Sequence, residues 1–139
     1  MEEPIWVKLE SVLEIHKILV EESEYDEFLT LNYGLLESTL ARPKNLFYYG
    51  ENVTLFELAA AYGYGFTKNH CFTSANKRVA LVITDNFLQL NGYELIASEN
   101  DFFKTIVDIA ENKIDQDSFA KWIALRSKIF ILTEDTTIS

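Results

Sequence analysis

The stretch LFELAAAYGYGF, Leu55 to Phe66, carries one charge in twelve residues and is apolar on nearly every side when wound as a helix. A helix of that kind has no face to give to water, so other elements must pack around it. The remaining apolar residues also recur mostly at helical spacing, with no strict alternation, no internal repeat and two prolines in all. An all-α fold of about six helices follows, built around this central one.

The first helix is expected from about Leu9 to Glu22, with Leu9, Val12, Leu13, His16 and Leu19 on its inner face. A second runs from about Gly34 to Arg42 and stops before Pro43, because proline disfavours helical geometry in the residue preceding it. The central helix spans Thr54 to about Lys68. A fourth runs from about Ala75 to Leu90, with Val79, Val82, Ile83, Phe87 and Leu90 facing inward and Asn91-Gly92 as its stop. A fifth opens at Ser98 as N-cap and buries Phe102, Phe103, Ile106 and Ile109. A sixth carries Phe119, Trp122 and Ile123. The segment SEYDEFLTLNY, 23–33, fits neither period and reads as a loop with a short extended piece. The polar tail 133–139 is expected to fray.

With 139 residues, 48% hydrophobic and 14% aromatic, the chain suits one domain with one buried core. A single cysteine, Cys71, forms no internal disulfide and suits a reducing compartment. No apolar run is long enough to span a bilayer, so the expected location is the cytoplasm. The formal net charge of −10 argues against nucleic acid and against an anionic membrane as partners, since both demand Lys and Arg against phosphate. That charge is unevenly spread. Between Leu58 and Thr84 there is no acid, only Lys68, Lys77 and Arg78. A basic island of this size suits one small anion rather than a duplex.

The island contains KNHCFTSANKRVAL, residues 68–81, the connection between the central helix and the next. Residues 73–77 are expected to form the first helical turn, where backbone N–H groups lack partners and the helix dipole favours negative charge. Such a turn can cradle a phosphate. Ser74 and Ala75 are small enough to let an anion reach the backbone, the Asn76 amide can donate, and Lys77 and Arg78 bring charge. His70, just before the turn, can accept a proton from a hydroxyl. Phe72 is expected to point into the core and fix the loop. Ser74 as a plain N-cap, with Lys77 and Arg78 as solvated surface, is the alternative reading of the same residues. A Cys71–His70 nucleophilic pair is a weaker option, because adjacent residues rarely face each other. Zinc is weaker still, since His16, His70 and Cys71 are the only soft ligands. His16, on an apolar helix face, reads as a core histidine.

HCFTSANKR resembles the signature of the Fic/Doc family, H-x-F-x-(D/E)-(G/A)-N-(G/K)-R, and Lys77 before Arg78 resembles its death-on-curing (Doc) branch. GLLESTLARPKNLFYYGE, LFELAAAYGYGFTKNH and FLQLNGYEL resemble Doc-like chains in order and spacing, so the likeness covers roughly residues 9–126. It implies the compact Fic/Doc helical bundle, with an extended flap near residues 23–33 that aligns a target peptide. It implies transfer of part of a nucleotide, ATP, to a protein hydroxyl. Typical Fic enzymes transfer AMP, whereas the Doc branch phosphorylates elongation factor Tu and is neutralised by a small antitoxin. By position, His70 becomes the general base; Asn76 and the backbone of Ser74 and Ala75 hold phosphate; Lys77 and Arg78 neutralise it.

One position narrows the branch, and two others and the flap segment depart from the family pattern. Leu81 stands where Fic enzymes carry a second arginine, as in Doc, which favours kinase-like use of the nucleotide over AMP transfer. Ser74 stands in place of the acidic Mg2+ ligand, so any metal is expected to be held mainly by nucleotide phosphates and water. Cys71 replaces a common proline. The flap segment lacks the glycines of many relatives, which points to a different target or docking mode. A degenerate Fic/Doc scaffold that binds nucleotide without transferring it is the competing reading.

Overall fold

The computed structural model describes residues 1–22 and 32–130. The expected flap, apart from Asn32 and Tyr33, and the expected tail 133–139 lie outside these residues. Six helices and one two-stranded sheet follow in the order α1 (Leu9–Glu22), α2 (Tyr33–Tyr49), α3 (Leu55–Asn69), α4 (Asn76–Leu90), β1 (Tyr93–Leu95), α5 (Glu99–Ala110), α6 (Gln116–Arg126) and β2 (Ser127–Ile129). The all-α expectation and the helix count hold for the described residues.

The central helix is α3. Thr54 caps it by accepting from the Glu57 N–H at 3.1 Å while Glu57 reaches back to the Thr54 N–H, a reciprocal box that satisfies two terminal donors. Leu58, Ala59, Ala60, Tyr62 and Phe66 are fully buried, and α2, α4, α5 and α6 all pack on it. This is why the segment is apolar all round. Close approach is set at Gly63, where a Cβ would lie 2.5 Å from Thr84 Oγ1 on α4 and 2.7 Å from Phe119 Cε2 on α6. The core runs from Val7 to Ile123 through Val12, Leu36, Phe87, Ile106 and Phe119.

The α2 helix does not stop at Arg42 as expected; it continues through a buried Pro43 to Tyr49. Proline costs a helix interior about 3 kcal/mol, but the turns beyond it carry Leu46 and Phe47 onto the core, and Arg42 is held by a 2.8 Å bond to Gln116 Oε1. Tertiary burial here outweighs local preference. On α4, Val79, Ile83 and Phe87 face inward as expected and Val82 is half-buried. Leu90 is 41% exposed, with Leu88 taking the buried place in the last turn. On α1, Val12 and His16 are buried and Leu9, Leu13 and Leu19 pack on the core. Ser98 caps α5 as expected, and Phe103 is half-buried.

The sheet was not expected. Tyr93 pairs with Ile129 and Leu95 with Ser127, antiparallel, flanked by bonds from Phe130 N to Gly92 O and Ile96 N to Arg126 O. Gly92, at φ 86°, makes the turn from α4 into β1 in a conformation that glycine adopts without penalty. Three-residue strands are too short for alternation to register.

Among the described residues no helix is long and apolar enough to cross a membrane.

Candidate active site

The motif residues singled out from the sequence lie in the loop between α3 and α4, from His70 to Ala75, and on the first turn of α4, where Asn76, Lys77 and Arg78 stand. His70 ends α3 in the left-handed region, φ 48° and ψ 56°, and its side chain is exposed. Cys71 turns inward and is 1% exposed, with its sulfur 3.4 Å from Thr39 Oγ1. Burial pushes its thiol pKa up, against a smaller opposing effect of Thr39. A buried protonated thiol beside an exposed imidazole is not a nucleophile–base pair, which removes that option.

Phe72 enters the core, 4% exposed, as expected. Its ring stacks on His16 of α1, with centroids 3.7 Å apart and planes 9° apart. His16 is itself 3% exposed and its Nε2 lies 3.2 Å from the Ser74 carbonyl oxygen. Since a carbonyl only accepts, Nε2 carries the hydrogen. His16 is thus a core histidine, as read from the sequence, but one in contact with the motif.

Two corrections concern the helix start. The α4 helix begins at Asn76, and the residue in the capping position is Ala75, left-handed at φ 66°, with no side-chain capping bond. Ser74 is therefore neither the N-cap nor part of the first turn. The work of a cap falls to Asn76, which is buried: its Nδ2 donates to the Phe72 carbonyl at 2.8 Å and its Oδ1 accepts from the Phe72 N–H at 3.1 Å. That clip bends the loop so the backbone enters α4 without a capping side chain. It also engages both polar atoms of an amide expected to face phosphate.

Lys77 and Arg78 are exposed on the first turn of α4. Arg78 lies along α5: its guanidinium donates to Glu99 Oε1 at 3.0 Å and sits 4.3 Å above the Phe103 ring. Half exposed, with a partner 74% exposed, this pair is held weakly. Leu81, one turn further along, is half-buried and brings no charge.

Sequence reasoning missed three neighbours. Asn32, which caps α2, donates its N–H to the Cys71 carbonyl at 2.9 Å, so the end of the expected flap segment is tied to the motif loop. Thr39 accepts from Asn69 Nδ2 at 2.7 Å and meets Cys71. Glu99 holds Arg78. Each contact joins residues between 21 and 39 positions apart, and no local pattern announces it.

A neutral Ser74 hydroxyl is a poor match for Mg2+, which favours carboxylates. Among the described residues no cluster of three or more His, Cys, Asp or Glu could hold a metal ion. The chemistry available to the loop itself is an exposed imidazole beside a helix start whose first amides have no intrahelical acceptor, with two cations on its first turn.

The sequence model of the Fic/DOC family matches residues 6–88, which contain the whole loop, all of α3 and all but the last two residues of α4. Toxin Doc of Mycolicibacterium smegmatis (strain ATCC 700084 / mc(2)155) is 32% identical over 101 residues, covering 70% of this chain and 78% of that protein. With the family model matching more than half of its length and this relative 32% identical over 70% of the chain, the chain belongs to the Fic/DOC family.

Proposed function

We propose that the chain is a Doc-like toxin that transfers the terminal phosphoryl group of ATP to a hydroxyl of a target protein. The observation that carries this reading is the placement of exposed His70 at the end of α3, in the short loop that leads to a start of α4 with no side-chain capping bond. The phosphate chain lies against the first-turn amides of α4, with Lys77 and Arg78 neutralising its charge. His70 takes the proton of the incoming hydroxyl as the hydroxyl oxygen bonds to the terminal phosphorus and the bond to the leaving ADP breaks. Mg2+, when it accompanies the nucleotide, supplies further charge neutralisation. Apolar Leu81 leaves the loop with one arginine, which supports phosphoryl transfer over AMP transfer.

By likeness to the M. smegmatis Toxin Doc, a small antitoxin is the natural restraining partner. The target we infer is a translation elongation factor of the Tu kind, which would place the protein in the cytoplasm and make transfer arrest growth. The second reading, a scaffold that binds nucleotide without transferring it, draws on Ser74 and on the glycine-poor flap sequence.

The test is incubation with a cytoplasmic extract and ATP labelled at either the α or the γ phosphate, using wild type and His70→Ala. Label on protein from γ alone, lost in the variant, is the expected result. Label from α identifies AMP transfer instead, no label from either leaves the scaffold, and an active His70→Ala removes the general-base role.

A further inference from the structure

We infer that His16, on α1 and 58 positions from its partner, is a positioning residue that aims the backbone of the anion loop, and this rests on the nucleotide reading above. Ser74 and Ala75 share one peptide plane, and in a trans peptide the carbonyl of one residue and the N–H of the next point in opposite directions. Holding the Ser74 oxygen 3.2 Å from His16 Nε2 directs the Ala75 N–H away from α1. Ala75 lies in the left-handed region, which an alanine adopts only against a steric cost. The orientation of that peptide therefore needs an outside hold, and His16 is the side chain that provides it.

The loop is gripped at two further points. The His16 ring lies flat on Phe72, and Asn76 clips the Phe72 backbone from the other end of the loop. Packing alone would explain the stack, but it would not explain a bond from the same ring to the carbonyl preceding Ala75. Nor is His16 a catalytic residue: it is buried beneath the loop, whereas His70 is exposed.

Two substitutions separate the contacts. His16→Phe keeps a ring on Phe72 and removes the donor; His16→Gln removes the ring and keeps a donor of similar reach. ATP binding by calorimetry and thermal melting are measured on the full chain. Affinity is expected to fall about tenfold in His16→Phe and no more than about threefold in His16→Gln, while the melting temperature falls further in His16→Gln. A residue that only filled space would put both readouts in the same order, and a folded His16→Phe that binds ATP like wild type overturns the inference. Wild-type protein that binds no ATP at all defeats the nucleotide reading instead, and the inference with it. A measurement on wild type guards against a variant that fails to fold. Nitrogen-detected spectra of the His16 ring are expected to show the hydrogen on Nε2; a ring protonated on Nδ1 alone cannot donate to Ser74, and that result also overturns the inference.

Discussion

Asn76 and Phe72 close a ring of two hydrogen bonds, amide to carbonyl at 2.8 Å and N–H to amide oxygen at 3.1 Å, across the start of α4. A helix that opens on Ala75 has no side-chain cap, so this clip is what turns the chain into it. The asparagine of the motif thus acts on the shape of the loop before it acts on any ligand.

Asn76→Ala should leave a buried carbonyl and a buried N–H without partners. Each costs about 1–3 kcal/mol when unsatisfied, and water entering the loop would recover part of it. We expect a loss of about 2 kcal/mol in urea unfolding, with Asn76→Asp milder because it keeps the acceptor. An unchanged denaturation midpoint in Asn76→Ala would mean the clip does not shape the loop.

At Gly63 the expectation is also loss. An alanine there must displace Thr84 Oγ1 and the Phe119 ring, both in the core. Overpacking costs about 1–3 kcal/mol, and the better helix propensity of alanine returns about 1 kcal/mol. A net loss of up to about 2 kcal/mol is expected in the same assay; a stabilised Gly63→Ala would show that α3 can move away from α4 and α6.

How far these features were legible follows from their range in sequence. The central helix declares itself because every side of it is buried, and Thr54, Ser98 and Asn91-Gly92 mark ends through local chemistry. Pro43 misleads because its local penalty is outweighed by Leu46 and Phe47, whose burial depends on the rest of the fold. In the site, the family motif locates His70 and the basic turn. The left-handed Ala75, the inward Asn76 amide and the His16 contact arise from backbone geometry and from α1, which no spacing within nine residues encodes.

In the proposed function Arg78 pairs with a phosphate, and its 3.0 Å bond to Glu99 competes with that role. An exposed pair of this kind holds about 0.2–1 kcal/mol. Glu99→Gln should therefore tighten ATP binding by up to about fivefold at low salt, with the gain shrinking as salt screens the pair. Arg78→Ala should weaken binding by about 1.5–3 kcal/mol, the range for hydrogen bonds to charged groups. If Arg78→Ala binds ATP like wild type in calorimetry, the arginine holds only Glu99. If Glu99→Gln alone has no effect, the pair does not compete.

The buried His16 also gives stability a pH dependence. Burial lowers its pKa below the usual value near 6.5, against a smaller upward pull from the bond to Ser74. Below about pH 6.5 the unfolded chain then takes up a proton that the folded chain resists. The contribution of His16 is thus full above pH 6.5 and is lost as the pH falls through the lowered folded value. Wild type should lose more stability than His16→Phe between pH 7 and pH 5.5, above the range where most carboxylates titrate. Parallel melting curves for the two proteins across that interval would contradict the assignment.

Ser74 separates the two functional readings. Its side chain is half-buried beside the start of α4 while its carbonyl is held by His16, so a substitution at this position changes the group offered to the anion and leaves the backbone hold in place. Ser74→Asp adds a carboxylate near the positive end of the helix and near Lys77, where a negative charge is favoured. It also restores the kind of oxygen ligand that Mg2+ prefers. For a transferase that lacks only this ligand, Mg2+-ATP should bind more tightly and γ-phosphate transfer into extract proteins should rise several-fold. For a scaffold that has lost its target site, binding should improve with no transfer from either form. Label with wild type or with Ser74→Asp excludes the pure scaffold, while tight Mg2+-ATP binding with no label from either defeats the proposed transfer.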